Sequence, residues 1–331
     1  MRYSYLIALA TWMAMPTVST PAEEPTADQR LAAGRDAPAV SPPIDDPPPP
    51  GVFSEGGLVH FRLRLGRLHV DPMRYRKGSE TFCGATFRET LSVANASGVP
   101  SVYYRFEDDF QRIQLTAEHG KSLRIESILN ATGEQAVLMQ HEDGRVSWAT
   151  RRNPHAASPA DVQAGGPTLL HVIGIDEAGF RLHLNALTGR MLRGRSLVAI
   201  ARHTEAYMLD RPHRLPAISR DHVLRLVDQL GSRKSATRRS AMQQLRRMGT
   251  AVTPHLTAAL QQSDLDAEQI ARIEHLLSRP ARCDEDTPAS LACLLSADRA
   301  HWQMMARRMN RNEWLAANDH VRRCGLDTLT R

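Results

Sequence analysis

Hydrophobic residues change their spacing once along this chain, and that change bounds the fold more tightly than any other feature. From Leu58 to about Thr150 they recur at every second position. In LVHFRLRLGRLHV, Val59, Phe61, Leu63 and Leu65 alternate with His60, Arg62 and Arg64. A period of two sends alternate side chains to opposite faces, so this stretch reads as a half-buried strand with a basic outer face. ETLSVANASGVPSVYYRF reads as two strands about the turn-forming cluster Asn95 to Pro100. FQRIQLTAEHGKSLRIESIL repeats the pattern about His119-Gly120, and QAVLMQHEDGRVSWAT about Asp143-Gly144. The expected product is an antiparallel β domain over 58–153, about six strands in a meander or partial barrel.

Beyond Pro154 the period lengthens. NPHAASPADVQAGG reads as a loop. Leu169, Leu170, Val172, Ile173, Phe180, Leu184 and Leu187 then follow a helical spacing, although Gly174 and Gly179 leave strands open there. Ser196 to Leu209 is a further helix, with Ser196 as its N-cap. From Ser219 the pattern sharpens. Val223, Leu224, Val227 and Leu230 share one face, and Gly231 stops that helix. The next, about Ser235 to Met248, sets Ala241, Leu245 and Met248 opposite Arg239, Gln243 and Arg246, with Gly249 as its C′ residue. Thr253-Pro254 suits N-cap and N1 of a third helix, and Asp266 with Gln269 a capping box for a fourth, striped by Ile270, Ile273, Leu276 and Leu277. Three short helical runs follow, around Ser290–Leu295, Arg299–Met309 and Asn312–Arg323. The fold class is therefore α+β: an N-terminal antiparallel β domain followed by a helical bundle over 168–331.

Short helices that are apolar on one face must stack to bury it. VDQLGSRKSATRRSAMQQLRRMGTAVTPHLTAALQQSDLDAEQIARIEHLL resembles a HEAT-like helical repeat, over about residues 219–280. It is similar to the version found in a group of uncharacterised exported bacterial proteins. The matching residues include Val227, Leu230, Gly231, Arg239, Ala241, Leu245, Gly249, Pro254 and Leu256, then Leu265 to Gln269, Arg272 and Ile273. One clear repeat is visible where a free-standing solenoid needs about three. The resemblance therefore implies a compact bundle, and it implies no particular activity.

The first 22 residues have a secretory pattern. Arg2 is followed by an apolar run from Leu6 to Met15, and small residues allow cleavage after Ala22. That run is too short to span a bilayer, and no other stretch could. Residues 23–57, rich in Pro, Ala and Asp and including IDDPPPP, read as an extended linker. With leader and linker removed, roughly 270 residues remain, enough for about two domains. Export to a periplasmic or external compartment permits disulfides among Cys83, Cys283, Cys293 and Cys324, with Cys283–Cys293 and Cys293–Cys324 the pairs nearest in sequence.

No catalytic motif withstands inspection. The Gly-Lys-Ser of EHGKSL has Leu115 where a phosphate loop needs glycine, and it sits between strands. GRSLV lacks the second glycine of a nucleophile elbow. No histidine pair has H-E-x-x-H spacing, and His141-Glu142-Asp143 occupies a hairpin. His171 and His183 lie among apolar residues and read as satisfied core histidines. The acidic clusters Glu107-Asp108-Asp109, Asp264 with Asp266, and Asp284-Glu285-Asp286 read as turns or helix starts. No catalytic residue, metal or cofactor is therefore assigned.

Charge is more telling. The net charge is +6, and Arg233, Lys234, Arg238, Arg239, Arg246 and Arg247 fall within fifteen residues. These six form the candidate binding site, facing a protein or an anionic envelope polymer. Arg239, part of the repeat pattern, also suits a structural bond to a helix carbonyl or an acid. The cluster lacks the interleaved aromatics that single-stranded nucleic acid favours, and export makes nucleic acid a poor partner. The expected function is non-enzymatic interaction through sheet and basic helical surfaces. The alternatives are an envelope-acting hydrolase with its site between the β and helical parts, and a purely structural repeat protein.

Overall fold

Every inner strand of the β domain takes up the two-residue period. The computed structural model describes residues 51–331 except 55, 72–76, 97–98, 119–121, 153–160, 262–263 and 279–284. The expected leader, the linker as far as residue 50, the His119-Gly120 turn and Cys283 lie outside the described residues. The last part of the expected linker does not stay solvated. Gly51–Phe53 forms a 3-10 turn whose Val52 and Phe53 are buried.

A hairpin comes first, β1 (Phe61–Arg64) and β2 (Arg67–Val70), as its own two-stranded sheet. The sequence there reads as one strand, but Leu65 and Gly66 both take positive φ, 50° and 69°, and turn the chain back on itself. Gly66 was the available signal. Eight strands then pair in chain order, each antiparallel to the next: β3 (Lys77–Cys83), β4 (Phe87–Ala96), β5 (Val99–Asp108), β6 (Gln111–Glu118), β7 (Ser122–Leu129), β8 (Gln135–Gln140), β9 (Val146–Arg151) and β10 (Val162–Gly166). The meander is open, since β3 and β10 do not pair with each other. The ten described strands exceed the expected six because the first folds back as a hairpin and because KGSETFC and VQAGG carry too few large apolar residues to show an alternation.

Register gives the inner face its order. Leu91, Tyr104, Leu115, Ile125, Leu138, Trp148 and Ala164 are directly paired neighbours across seven strands, one continuous buried row. The adjacent row reads Glu89, Phe106, Ile113, Ser127, Ala136 and Thr150. It contains polar groups that an exposed face would not need.

Among the described residues ten helices follow: α1 (Leu169–Ile175), α2 (Glu177–Met191), α3 (Leu197–Asp210), α4 (Arg220–Leu230), α5 (Ser235–Arg247), α6 (Thr253–Leu260), α7 (Ala267–Ser278), α8 (Pro288–Leu295), α9 (Arg299–Ala306) and α10 (Arg311–Arg323). The stretch where strands stayed open is thus helical. One buried cluster joins the sheet to α1, α2, α3, α8, α9 and α10. A second consists of α4 to α7 with the segments between them, from Ile218 to Ile273. Leu245 and Ile273, the seam residues, are 1% and 0% exposed.

The caps follow the sequence in part. Asp266 and Gln269 form the reciprocal box, at 2.7 and 2.9 Å, and the Gln269 amide also donates to the Val227 carbonyl at 3.0 Å. Ser196 accepts from Ala199 N, and Gly249 takes φ 65° beyond α5. Ser219 occupies its N-cap position without a side-chain bond. Val252, rather than Thr253, precedes the first turn of α6, because a 3-10 turn Gly249–Val252 leads directly into it.

Helix α2 crosses the sheet from β9 to β4 and holds it at three polar positions spaced by seven residues. Asp176, its N-cap, accepts from Trp148 Nε1 on β9 at 2.8 Å. His183 meets Ser127 on β7 at 3.0 Å, and Arg190 pairs with Glu89 on β4. Fourteen helical residues rise about 21 Å, and five strand spacings cover about 24 Å, so the lengths match. Glu89 is wholly buried. Its second oxygen accepts from Val52 N at 2.9 Å, Tyr104 donates its hydroxyl at 2.8 Å, and Arg190 lies over the rings of Phe87 and Phe106. Burial next to this pair pushes the Tyr104 hydroxyl well above its usual range.

Removing one partner of such a pair strands a charge in the core. Glu89→Ala is expected to lower unfolding free energy by about 3–5 kcal/mol, whereas the double change Glu89→Leu with Arg190→Met should recover most of it. Urea titration of the three proteins measures both.

Candidate functional site

The six basic residues differ in how far the fold engages them. Arg239 and Arg246, two helical turns apart on α5, are exposed, as are Arg233, Lys234 and Arg247. Arg238 is occupied. Its Nη1 donates to the Ser232 and Arg233 carbonyls at 2.7 and 3.1 Å, and its Nε lies 3.6 Å from Glu268 on α7. The structural bonds expected of Arg239 therefore belong to its neighbour, because the 100° step between them turns Arg238 back toward the preceding loop.

Arg239 and Arg246 instead border an open groove of about 570 Å³ between α5 and α7. Both helices pack on α4. Each presents an i, i+3, i+4, i+7 stripe to the groove: Arg239, Met242, Gln243 and Arg246 from α5, and Glu268, Ala271, Arg272 and His275 from α7. Arg239 and Arg246 make no ion pair with any described residue, while Arg272 is paired with Glu268 one turn away. The hydrogen bond from Arg272 holds the Glu268 carboxyl below its ordinary range. Met242, which is buried, and Ala271, which is exposed, add apolar surface to the lining. Arginine forks at the rim can take carboxylate or phosphate oxygens two at a time. Arg272 and His275 were missed from sequence. Their signal was the stripe Glu268, Ala271, Arg272, His275, opposite the apolar seam of the same helix.

The seam between sheet and helices holds a second constellation. Ser127 Oγ lies 3.0 Å from His183 Nδ1, and His183 Nε2 lies 3.5 Å from Glu134 Oε1. A serine, an imidazole and a carboxylate are thus in line. Ser127 is 0% exposed, however, and its Oγ also meets Gln111 Oε1 at 3.4 Å. The carboxylate, not the hydroxyl, is the end nearest solvent. In this state the row fastens α2 to β7 and presents no nucleophile. Burial lowers the His183 pKa against the pull of Glu134.

Two further clusters look chemical but are packed shut. Cys324 Sγ lies 3.5 Å from His320 Nε2, which also reaches the Ser296 carbonyl at 2.9 Å. Both side chains are fully buried, and burial raises the Cys324 thiol. The Cys293–Cys324 bridge is not formed, for both are free thiols. Cys83, exposed at the end of edge strand β3, is also free. His171 donates or accepts at Thr168 Oγ1, 2.9 Å, and meets Asp298 at 3.3 Å, while the ring of His301 packs beside it with neither nitrogen bonded.

The remaining candidates are turn builders. His141 Nε2 meets Ser147 Oγ, Asp143 accepts from Arg145 N, and Asp108 accepts from Phe110 N and Gln111 N. Asp286 departs from the solvated reading. It is buried, accepts from Gly66 N at 2.7 Å and donates its own N–H to the Leu63 carbonyl, so it docks the β1–β2 hairpin onto the start of α8. Among the described residues no group of three or more His, Cys, Asp or Glu is placed to hold a metal ion, and no helix is long and apolar enough to cross a membrane. No family model, curated protein or solved structure matches the chain.

The buried histidines set an acid limit. Burial, with repulsion from His171, lowers His301 to about 3, and burial also lowers His183, His255 and His320. Their folded values lie below the unfolded value near 6.5, so the unfolded chain takes up protons first. Their contribution is complete above about pH 6.5 and is lost as pH falls toward the folded values, by about 1.4 kcal/mol per pH unit for each histidine. Urea titrations are expected to show falling stability between pH 6.5 and 4. His301→Leu should make that fall shallower by about one proton's worth.

Proposed function

We propose that this chain is an exported, non-enzymatic interaction protein whose α4–α7 layer, HEAT-like in character, presents a basic surface to an anionic partner. The observation that carries the reading is the cationic groove between α5 and α7, where Arg239 and Arg246 stay unpaired over a sealed apolar core. A guanidinium already committed to a neighbour, such as Arg238, cannot serve a ligand without losing that bond. A free one has no such bond to lose and pays only the ordering of its own side chain, about 0.5–1.5 kcal/mol. The secretory pattern of residues 1–22 supports an envelope or external setting, and with it a protein or anionic envelope polymer as partner.

The test is retention of partners from the exporting cell on the immobilised wild-type protein and on a variant with Arg239, Arg246 and Arg247 changed to Gln. The variant is expected to lose its partners and to show a weaker dependence on salt. Unchanged retention removes the reading.

A second reading, an envelope-acting hydrolase, draws on the Ser127–His183–Glu134 row between sheet and α2. It requires the seam to open, since a buried hydroxyl meets no substrate. A fluorophosphonate probe should then label the wild-type protein and not Ser127→Ala. If the wild-type protein is not labelled, this reading has no support left.

A further inference from the structure

Resting on the proposed binding role, we infer that the α5–α7 groove is a helix-sized slot for an acidic amphipathic helix of a partner protein. Four features of the groove meet in this assignment. The first is shape. Two helices that both lean on α4 face the slot with matching i, i+3, i+4, i+7 stripes, the surface a helix offers to another helix lying alongside it.

The second feature is the apolar part of the lining. Met242, largely buried, and Ala271, exposed, line the groove together with the charged residues. A phosphate polymer has no apolar face to set on them, whereas one leucine-sized side chain does. Methionine is unbranched and adapts to such a side chain. The third is charge spacing. Arg239 and Arg246 are seven residues apart, about 10.5 Å along the axis. Carboxylates at i and i+7 of a helix lying alongside repeat at the same distance, so both guanidiniums can be met in one register. The fourth is polarity along the groove. Glu268, held by Arg272, stands in the α7 rim. It repels a uniform polyanion and tolerates a peptide that places an amide or a cation opposite it. A mixed rim therefore selects a patterned acidic helix over a featureless acidic chain.

Recognition would be the helix-in-groove mode: apolar anchor on Met242 and Ala271, carboxylates on the forks. Rim pairs in such a site are exposed to solvent, so each contributes modestly and is screened by salt.

The probe is a designed, fluorescein-labelled, capped four-turn helical peptide with glutamates spaced by seven and leucine between them. Its fluorescence anisotropy is measured with the full-length protein. The designed peptide is expected to bind, and a scrambled peptide of the same composition to bind at least about tenfold more weakly. Arg239→Gln with Arg246→Gln should cost about tenfold. Ala271→Trp, an exposed position where a large ring fills the slot, should abolish binding while circular dichroism stays unchanged; Gln243→Glu gives a second groove variant that keeps the volume and should weaken binding. If the scrambled peptide or polyphosphate binds as tightly as the designed one, or if Ala271→Trp leaves binding intact, the slot is overturned. Loss of cellular partners in the variant with Arg239, Arg246 and Arg247 changed to Gln, with no effect of Ala271→Trp, would overturn the slot alone and leave the basic-surface reading standing. Retention of partners in both would remove the two together.

Discussion

Helix α2 is the member on which the rest of the structure leans. A sheet with one apolar face cannot stay in water uncovered, and α2 is the element laid across it. It does more than cover. Asp176, His183 and Arg190, seven residues apart, each take a polar partner from a different strand: Trp148, Ser127 and Glu89. Apolar burial alone would let a helix slide or rotate on a smooth sheet. Three polar contacts, two of them buried and the one at Asp176 partly buried, permit one register. The sheet row that holds Glu89 and Ser127 and the helix row that holds Arg190 and His183 thus specify each other.

The same logic explains why the chain has histidines and a serine in positions that resemble catalysis. A polar group in a core must find a partner, and partners of a serine are often imidazole and carboxylate. The Ser127–His183–Glu134 row has the components of a triad, yet its hydroxyl is the deepest member. Cys324 and His320 repeat the theme, with the thiol fully buried and the imidazole held to the Ser296 carbonyl. In both places the chemistry of the side chains serves docking, and the cost is borne at low pH, where neutral buried histidines lose to the protonated unfolded chain.

The proposed binding surface lies where the packing has finished. The α4–α7 layer closes its own core, separate from that of the sheet, and leaves guanidiniums with no structural work to do. Arg238 and Arg239 show the distinction at neighbouring positions. One is folded onto Ser232, Arg233 and Glu268. The other points into the groove. A single residue, a 100° step around the helix, separates a brace from a candidate ligand fork.

Much of this architecture was legible without coordinates. Period two over 58–153 and period 3.6 beyond Ser219 report which face meets the core, and that is local information. Asp266 with Gln269 and Gly249 report helix ends for the same reason. The hairpin at Leu65-Gly66, the edge strand KGSETFC and the strand VQAGG were not legible, because an edge or a tight turn needs no hydrophobic alternation. Nor could the sequence distinguish Arg238 from Arg239, assign Glu89 to Arg190 a hundred residues away, or join Arg246 on α5 to His275 on α7. Those depend on how elements cross one another. Local spacing decides what each segment becomes, and only the packing of distant segments decides which polar groups are used up inside and which remain for a partner.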